Sequence, residues 1–511
     1  SIRGNSSHEH NPFIVLRRPS ATENAGEVMG FSLIYSGNHR MQAEVDTHDT
    51  TRITVGINPQ NFDWKLECGE SFQTPEAVVV FSDQGLNGMS QTFHKLYQKR
   101  LARGYWRDRP RPILNNNWEA TYFDFTEDRL VEIAAKAKEC GVELFVLDDG
   151  WFGERENDQK ALGDWQDNPE KLPDGLGGLS AKIHAMGLKF GIWVEPEMIS
   201  ENSKLYREHP EYAVRIPGKA AAVGRNQMLL DLTQTKVQDR IIADMSDVFR
   251  RGQVDYVKWD MNRQLSDLGS TYLDKDSQQE LFHRYVLGMY AMQERLVQEF
   301  PDLLLENCSG GGARFDPGML YYSPQIWCSD DTDAIERLII QEGTSLVYPL
   351  SAMGAHVSDC PNHTVGRVTP FETRGYVALA GTFGYELDVT KIPQEDREMI
   401  PEQVAMYHKY NDLVREGDYY RIASYSRNHM FDCYGVVRKD KEEALFTYVQ
   451  VMNRPNYHSR RIFFKGLDPE KLYQIEGEEG TYTGDVLMKA GYLVQNLWGD
   501  YKARLIHVVK A

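Results

Sequence analysis

Eight short apolar runs, separated by stretches with helical periodicity, occupy the middle of this chain and restrict its fold more than any other feature. Most of them end in polar or acidic residues, as buried parallel strands do where they open into a site. The runs are Ile113–Trp118, Leu144–Asp149, Phe190–Glu197, Val254–Asp260, Leu303–Cys308, Gln325–Asp330, Ser345–Leu350 and Leu379–Gly384. Between the first two, Asp128–Glu139 repeats apolar positions near a 3.6 period, and Gly141 supplies a stop signal. Eight βα units over about 280 residues predict the α/β class and a (β/α)8 TIM barrel.

An open, doubly wound sheet is the structural competitor. That fold usually binds a nucleotide through a GxGxxG turn after a strand, and no such turn follows any of the runs. The glycine-rich segment Ser309–Gly312 lacks the Gly-Lys-Ser/Thr of a phosphate-binding loop, so close approach of backbone to a ligand explains it better. In a TIM barrel the carboxyl ends of all strands face one mouth. The polar run endings are therefore predicted to converge there.

β-rich segments flank the predicted barrel on both sides. Strands are predicted before it at Asn11–Leu16, Gly30–Tyr35, Thr51–Val55 and Ala77–Phe81, and after it at Phe446–Val451, Arg460–Phe464 and Ala503–Val509. Helices are predicted over residues 89–103 and Glu402–Arg415. Three or four strands make a poor independent domain, so the first group is interpreted as the end of a larger β-domain. We therefore predict a β-rich region with a linking helix at 1–106, the barrel at 107–419 and an antiparallel β-sandwich at 420–511.

Charge and cysteine content argue against several classes of partner and site. The net charge of −18 opposes binding to nucleic acid or to an anionic membrane surface. No run reaches the roughly 18 apolar residues of a membrane span, and no signal peptide is expected. The six cysteines are scattered without a CxxC pair, which favours a reducing compartment, and we expect the cytoplasm. An acidic surface is compatible with a neutral ligand. A content of 11% aromatic residues suits a protein that stacks flat ligands or sugars against its side chains.

Two aspartates at predicted strand ends are the candidates for catalysis. Asp260 ends the fourth run, and strand alternation places Lys258 on the same face, where its positive charge favours an ionised Asp260. Asp330 ends the sixth run, and the nearby Asp331 and Asp333 are expected to raise its pKa. One ionised and one protonated carboxyl group are what cleavage of a glycosidic bond requires. The alternatives are a structural ion pair for Lys258 and Asp260, and helix N-capping for Asp330.

Five motifs resemble those of the α-galactosidases of glycoside hydrolase family 36, in the same order along the chain. They are Leu147–Phe152, Tyr256–Arg263, Glu306–Gly312, Cys328–Arg337 and Gly354–Ser358. The resemblance covers essentially the whole chain, from Arg3–His8 onwards. It implies an enzyme without cofactor or metal that hydrolyses terminal α-linked galactose, of the melibiose or raffinose type, by a retaining double displacement. Asp260 is then the nucleophile and Asp330 the general acid/base.

The resemblance also implies the residues that bind the sugar. Asp148 and Asp149 are expected to hold its 4- and 6-hydroxyls, as charged acceptors that orient a hydroxyl strongly. The other residues that the resemblance implies as substrate-binding are Arg225, Lys258 and Asn262 for further hydroxyls, Cys308 and Gly311 near the 2-hydroxyl, and Trp118 and Trp193 as aromatic walls. His356 and His363 follow the seventh run and are interpreted as structural.

Other functions stay open from the sequence. A metal-dependent barrel enzyme would use Asp148, Asp149, Glu195 and Glu197 as oxygen ligands. A carbohydrate-binding protein without turnover has the same fold requirements but no need for both aspartates. Within the resembled family, an α-N-acetylgalactosaminidase and a galactosyl-transferring enzyme are the alternatives. The resemblance further implies an N-terminal β-supersandwich, most of which either precedes Ser1 or has been lost, and a homo-oligomer, tetrameric when that domain is whole.

Overall fold

The computed structural model describes residues 1–456 and 459–511, and at its centre lies a closed barrel of parallel strands. The barrel strands, labelled in chain order, are β1 (Leu114–Asn116), β2 (Leu144–Leu147), β3 (Lys189–Val194), β4 (Tyr256–Trp259), β5 (Leu304–Asn307), β6 (Gln325–Trp327), β7 (Met353–Ser358) and β8 (Thr382–Glu386). Each strand pairs in parallel with the next, and β8 returns to β1 with Glu386 opposite Asn116. The predicted TIM barrel is confirmed.

The strands read as continuous apolar runs because they are buried on both faces. All four residues of β2 are buried, as are all four of β4. Side chains from four strands fill the barrel interior, namely Leu114, Leu144, Val146, Tyr256 and Leu304. A β-carbon at Gly191 on β3 would come within 2.7 Å of the Tyr256 ring. Glycine at that position leaves room for the tyrosine, so the interior is a packed core and the barrel opens only at its mouth.

Helices surround the barrel and join its strands. The α-helices are Gly85–Leu96, Trp118–Thr121, Glu127–Glu139, Gly175–Ala185, Lys204–Glu208, Thr235–Arg251, Leu281–Glu299, Pro317–Leu320, Ala334–Thr344, Phe371–Ala378, Gln394–Glu416 and Tyr425–Asn428. Short 3₁₀-helices lie at Pro210–Tyr212, Lys275–Glu280 and Leu350–Ala352, and π-helical turns at Tyr97–Leu101 and Val486–Ala490. The helix predicted from Asp128 begins at Glu127, because Thr126 caps it by accepting from the backbone nitrogen of Arg129.

The predicted seventh strand is wrong. The run Ser345–Leu350 follows helix Ala334–Thr344 as an irregular segment, and the strand itself is β7, Met353–Ser358. Val347 and Tyr348 are buried, which gives the run its apolar character without a strand. The true strand carries Gly354 and His356, which weaken its β signal. His356 therefore lies within β7, whereas His363 lies in the loop beyond it.

The flanking regions are antiparallel sheets. The N-terminal strands are Phe13–Arg17, Val28–Ile34 and Glu76–Ser82 in one sheet and His39–Val45 with Thr51–Ile57 in a hairpin. The C-terminal sheet contains Asp418–Ala423, Phe431–Val437, Glu443–Gln450, Lys502–Lys510, Leu472–Ile475 and Tyr482–Thr483, and a second sheet pairs Ser459–Ile462 with Tyr492–Gln495. The Phe446 and Phe464 rings stack 4.0 Å apart between these two sheets. The predicted C-terminal β-sandwich is thus confirmed.

Two short strands, Met198–Ile199 and Met228–Leu229, form an antiparallel pair beyond the end of β3. Within residues 1–456 and 459–511, none of the helices combines the length and the apolar character that crossing a membrane requires.

Candidate active site

A cavity of about 210 Å³ opens at the carboxyl ends of the barrel strands. Ten of the eleven residues predicted for the site line it: Trp118, Asp148, Asp149, Trp193, Arg225, Lys258, Asp260, Asn262, Cys308 and Asp330. Most of them end a barrel strand or follow it within three residues, so the fold of the barrel brings them together.

Asp260 follows β4 and is surrounded by nitrogen donors. Its Oδ2 accepts from Trp193 Nε1 at 3.1 Å and from Asn262 Nδ2 at 2.7 Å. Its Oδ1 accepts from the backbone nitrogens of Met261 at 2.7 Å and Gly310 at 3.3 Å. Both oxygens accept in all four of these bonds. The contacts also fix the orientation of the carboxylate toward the cavity.

Asp330 follows β6, which lies two strands around the barrel from β4, and remains accessible to solvent. The surrounding cavity wall reduces its hydration, and this desolvation, followed by the negative charge of Asp260, raises the pKa of Asp330. The charge of Lys258 and a hydrogen bond from Trp327 Nε1, 2.9 Å from Oδ1, oppose that rise. The predicted direction of the shift is right, but its cause is wrong, because the effects come from across the cavity and not from Asp331 or Asp333.

N-capping is performed by a different residue of the same run. The Asp333 side chain accepts from the backbone nitrogens of Ile335 and Glu336 at the start of helix Ala334–Thr344. Asp330 is therefore free of that structural duty and presents its carboxyl group to the cavity. The helix-capping alternative for Asp330 is excluded.

Lys258 forms its ion pair with Asp148 and not with Asp260. Lys258 Nζ lies 3.1 Å from Asp148 Oδ2, which also accepts from Asn116 Nδ2 at 2.6 Å. Burial lowers the pKa of Lys258, but the negative charge of Asp148 and, after it, those of Glu386 and Asp330 together raise the pKa above its ordinary value, so the ammonium stays charged. The structural ion pair between Lys258 and Asp260, considered as an alternative, is therefore not formed, and Asp260 lies beyond the end of β4, where strand alternation no longer applies.

Asp149 pairs with an arginine that the sequence did not single out. Arg155 Nε lies 3.0 Å from Asp149 Oδ1, and a terminal nitrogen of the guanidinium lies 2.8 Å from Oδ2. Burial raises the pKa of Asp149, and Arg155 opposes that rise. Asp148 and Asp149 thus enter the cavity as acceptors held by cations, with lone pairs left for hydroxyl donors.

The aromatic and amide residues shape the rest of the wall. Trp118 follows β1 and packs edge-on against Tyr122 and Phe123, with ring centroids 5.2 and 5.1 Å away. Trp193 on β3 lies nearly parallel to Phe152 at 6.3 Å. These contacts hold the two tryptophan rings in place where they border the cavity.

Arg225 and Cys308 occupy the remaining predicted positions. One terminal nitrogen of the Arg225 guanidinium donates to Asn262 Oδ1 at 2.6 Å. Burial, followed by the charges of Asp260 and Asp330, raises the pKa of Cys308, so its thiol is neutral. A neutral thiol thus borders the cavity that Asp260 and Asp330 also line.

Gly311 is the predicted residue that does not line the cavity. It is buried beneath Asp330: its φ is +84°, and a β-carbon would come within 2.9 Å of the Asp330 backbone nitrogen. Both the left-handed backbone and the close approach require glycine. Gly311 thus sets the position of Asp330 from behind.

We expect Gly311→Ala to reduce kcat/KM of the reaction at this cavity by roughly 10- to 100-fold, because the methyl group displaces Asp330. Steady-state kinetics measure the loss of activity. A thermal melt measures the loss of stability from the backbone strain at residue 311, which we expect to be about 1–3 kcal/mol. Gly343→Ala is the matched control, since a β-carbon there meets nothing within 4 Å. An activity loss of similar size in Gly343→Ala would contradict the prediction.

The cavity wall contains further residues that sequence reasoning did not assign to sugar binding. They are Glu119, Phe123, Arg155, Asp158, Glu195, Gln227, Trp327, Thr332, His363 and Glu386. Glu195 and Trp327 carried a detectable signal, because each lies at the end of a predicted strand. Glu386 ends β8, Glu119 lies in helix Trp118–Thr121, and the rest lie on loops whose position depends on tertiary contacts.

Glu195 is a carboxyl group of the cavity wall that is connected to Asp260 through Asn262. It follows β3, and its Oε1 accepts from Gln227 Nε2 at 2.6 Å and from the backbone nitrogen of Asn262. Burial, followed by the charge of Asp260, raises the pKa of Glu195. Glu195 thereby holds the turn on which Asn262 reaches Asp260.

The residues considered as metal ligands are engaged elsewhere. Glu197 is fully buried and accepts from a terminal nitrogen of Arg314 at 2.8 Å, from Trp259 Nε1 at 2.8 Å and from the Tyr285 hydroxyl at 3.0 Å. In the described part of the chain, no three histidine, cysteine, aspartate or glutamate side chains are grouped to hold a metal ion.

Three family models match this chain, and together they cover most of its length. Residues 71–417 match the family described as Melibiase, residues 1–67 the glycosyl hydrolase family 36 N-terminal domain and residues 432–508 its C-terminal domain. The chain is 54% identical over 502 residues to alpha-galactosidase AgaA of Geobacillus stearothermophilus, covering 98% of this chain and 68% of that protein.

A second relative and a solved structure are also similar to this chain over nearly its whole length. Alpha-galactosidase Mel36A of Lactobacillus acidophilus is 48% identical over 507 residues, or 99% of this chain and 69% of that protein. A crystal structure of an AgaA variant in complex with raffinose superposes with a TM-score of 0.98 at 52% identity, covering 100% of this chain and 71% of the other.

Proposed function

The chain belongs to glycoside hydrolase family 36, and from this membership we propose that it releases terminal α-linked galactose from melibiose- and raffinose-type galactosides with retention of configuration. Asp260 is the proposed nucleophile and Asp330 the proposed general acid/base. The observation that carries the proposal is the placement of these two carboxyl groups at one cavity, in environments that treat them differently. Asp260 is held by four nitrogen donors, whereas the pKa of Asp330 is raised.

The proposed reaction has two displacements. In the first, an Asp260 oxygen attacks the anomeric carbon, the bond to the leaving oxygen breaks, and Asp330 gives its proton to that oxygen. In the second, Asp330 takes a proton from water, the water oxygen attacks the anomeric carbon, and the bond to Asp260 breaks. The products are galactose and the free aglycone, and both carboxyl groups return to their starting states.

Binding of the sugar is proposed for the residues around this pair. Asp148 and Asp149 accept from the 4- and 6-hydroxyls, Lys258 and Arg225 donate to others, and Trp118 and Trp193 border the ring. Because Asp148 is already held by Lys258 and Asn116, its free lone pairs point in fixed directions. Such preorganisation discriminates an axial from an equatorial hydroxyl.

Several finer points are part of the same proposal. The raffinose complex of the AgaA variant supports an oligosaccharide with a terminal α-galactose as the substrate. We propose a homo-oligomer, a cytoplasmic location in line with six free cysteines, and domain limits at 1–106, 107–419 and 420–511. The closed barrel between β1 and β8 and the C-terminal sheet that starts at Asp418 support these limits.

An α-N-acetylgalactosaminidase is the second candidate within the family. It needs space for a 2-acetamido group, which is proposed to lie near Cys308 and Gly311. Cys308 is buried at the cavity wall, where its side chain occupies space that an acetamido group would need. This crowding favours the smaller 2-hydroxyl of galactose.

The test is hydrolysis of an aryl α-galactoside beside the matching α-N-acetylgalactosaminide and β-galactoside. Turnover of the α-galactoside alone is expected, because the β-galactoside has the wrong anomeric configuration and the α-N-acetylgalactosaminide carries a bulkier group at C2. Comparable turnover of the α-N-acetylgalactosaminide would replace galactose by N-acetylgalactosamine as the substrate. Binding of galactose without any turnover would instead identify a carbohydrate-binding protein.

A further inference from the structure

The Arg337 guanidinium holds the loop that carries Asp330 from both sides. Its Nε donates to the backbone oxygen of Asp331 and a terminal nitrogen donates to that of Ser329, each at 2.7 Å, so the two bonds flank residue 330. The other terminal nitrogen donates to the backbone oxygen of Gly354 on β7 at 2.9 Å. A side chain that is only 2% exposed thereby ties the loop after β6 to the neighbouring strand.

The same guanidinium supports the residue that contacts the Asp330 carboxyl group. Its Cζ lies 4.7 Å from the centroid of the Trp327 ring, and Trp327 Nε1 donates to Asp330 Oδ1 at 2.9 Å. The ring is confined elsewhere too: the His356 ring lies 4.7 Å away, and a β-carbon at Gly354 would come within 2.7 Å of it. Trp327 therefore has little freedom to turn away from Asp330.

A requirement of helix stability does not explain this arrangement. Arg337 lies on helix Ala334–Thr344, whose first turn is already capped by Asp333. Burying a charged side chain is costly when it is hydrogen-bonded to neutral groups and not to an opposite charge. The partners of the Arg337 guanidinium in these three bonds are backbone carbonyls. The three bonds all serve to fix residues 329–331 against β7.

We propose that Arg337 is a positioning residue for the general acid, acting through the backbone on either side of Asp330 and through Trp327. The inference rests on the proposed role of Asp330. Proton transfer in the transition state requires the donor within hydrogen-bond reach of the leaving oxygen. A poor leaving group depends on that proton, whereas an activated one departs as an anion. Loosening Asp330 therefore slows the first displacement in proportion to the need for a proton.

The test compares kcat/KM of Arg337→Lys for melibiose and for 2,4-dinitrophenyl α-galactoside. This parameter reports the first displacement, and the sugar leaving group of melibiose must be protonated. We expect roughly a 100-fold loss with melibiose and less than about a threefold loss with the aryl substrate. Lysine keeps the charge but cannot span three carbonyls with a planar fork.

The matched control is Arg111→Lys. Arg111 is 5% exposed, and its side chain likewise donates to backbone carbonyls, those of Trp106, Arg109 and Pro324, at the opposite end of the barrel. The same substitution there removes a buried arginine without touching the cavity. We expect its kcat/KM ratio between the two substrates to equal that of the wild type.

Equal losses on both substrates, or no loss, would overturn the proposal. Trp327→Phe keeps the ring and removes the N–H donor, and it provides the same comparison if Arg337→Lys does not fold. Asp330→Ala separates this inference from the proposed function. If that variant lacks the leaving-group dependence, the role of Asp330 fails and this inference fails with it. If it shows the dependence and the Arg337 and Trp327 variants do not, only this inference fails.

Discussion

Asp260→Ala is expected to lower kcat for an aryl α-galactoside by roughly 10⁴-fold or more, the size of loss typical of removing a nucleophile. The reason is local. The anomeric carbon loses the oxygen that attacks it, while the donors Trp193, Asn262 and Gly310 remain aimed at an empty position. Binding of galactose persists, because Asp148 and Lys258 on the sugar side are untouched.

Azide tests whether Asp260 is the nucleophile or only a structural carboxylate. In Asp260→Ala a small anion fits where the carboxyl group was, and its attack on the anomeric carbon is a single displacement. The expected product is β-galactosyl azide, identified by its NMR coupling constant, together with partial recovery of turnover.

Asp255→Ala is the control on the same segment, since Asp255 immediately precedes β4 at the other end of the strand and pairs with His184. We expect its kcat to stay within about threefold of the wild type, as for a surface pair. A comparable loss in Asp255→Ala, or no azide product from Asp260→Ala, would contradict the nucleophile assignment.

The fold was predictable because the barrel imposes a strong pattern on the sequence. Parallel strands buried on both faces give continuous apolar runs, and the repeated alternation of such runs with helical stretches predicts βα units. The site was predictable in position for a related reason. Residues such as Asp149 and Asp260 follow these runs directly, and in a barrel all such ends meet.

The partners of these residues were not predictable, since they come from distant parts of the chain. Lys258 is two residues from Asp260 yet pairs with Asp148, 110 positions away. Local alternation decides which face a strand residue occupies but says nothing about the loop beyond the strand. The wrong position predicted for the seventh strand has a similar origin. Val347 and Tyr348 are buried without belonging to a strand, and in sequence such an apolar run looks like a strand buried in a sheet.

The residues that support the site from behind had the weakest signal in the sequence. Glu195 was visible only as a carboxylate at a strand end, and its hydrogen bond to the Asn262 backbone is what relates it to Asp260. Arg337 appears in sequence as an ordinary helical arginine. Its burial against three carbonyls depends on how β6, β7 and the helix pack together.

Asp330→Ala is expected to lower kcat/KM for melibiose by roughly 10²- to 10⁴-fold, the usual range for general acid catalysis, but to affect 2,4-dinitrophenyl α-galactoside by less than about tenfold. The pH profile gives a second signature. The general acid works only when protonated, so kcat/KM falls as the pH rises through the pKa of Asp330. Desolvation and the charge of Asp260 raise that pKa, and the alkaline limb therefore lies at higher pH than an ordinary aspartate would place it.

In Asp330→Ala this alkaline limb should disappear from the profile measured with the activated substrate, because the titrating acid is absent. Azide added to the same variant enters the second displacement and gives α-galactosyl azide, the opposite anomer to the product expected from Asp260→Ala. Asp331→Ala is the control, since the Asp331 side chain accepts from the Asp333 backbone and does not border the cavity. Retention of the wild-type alkaline limb in Asp330→Ala, or formation of the β-anomer with azide, would show that another group supplies the proton.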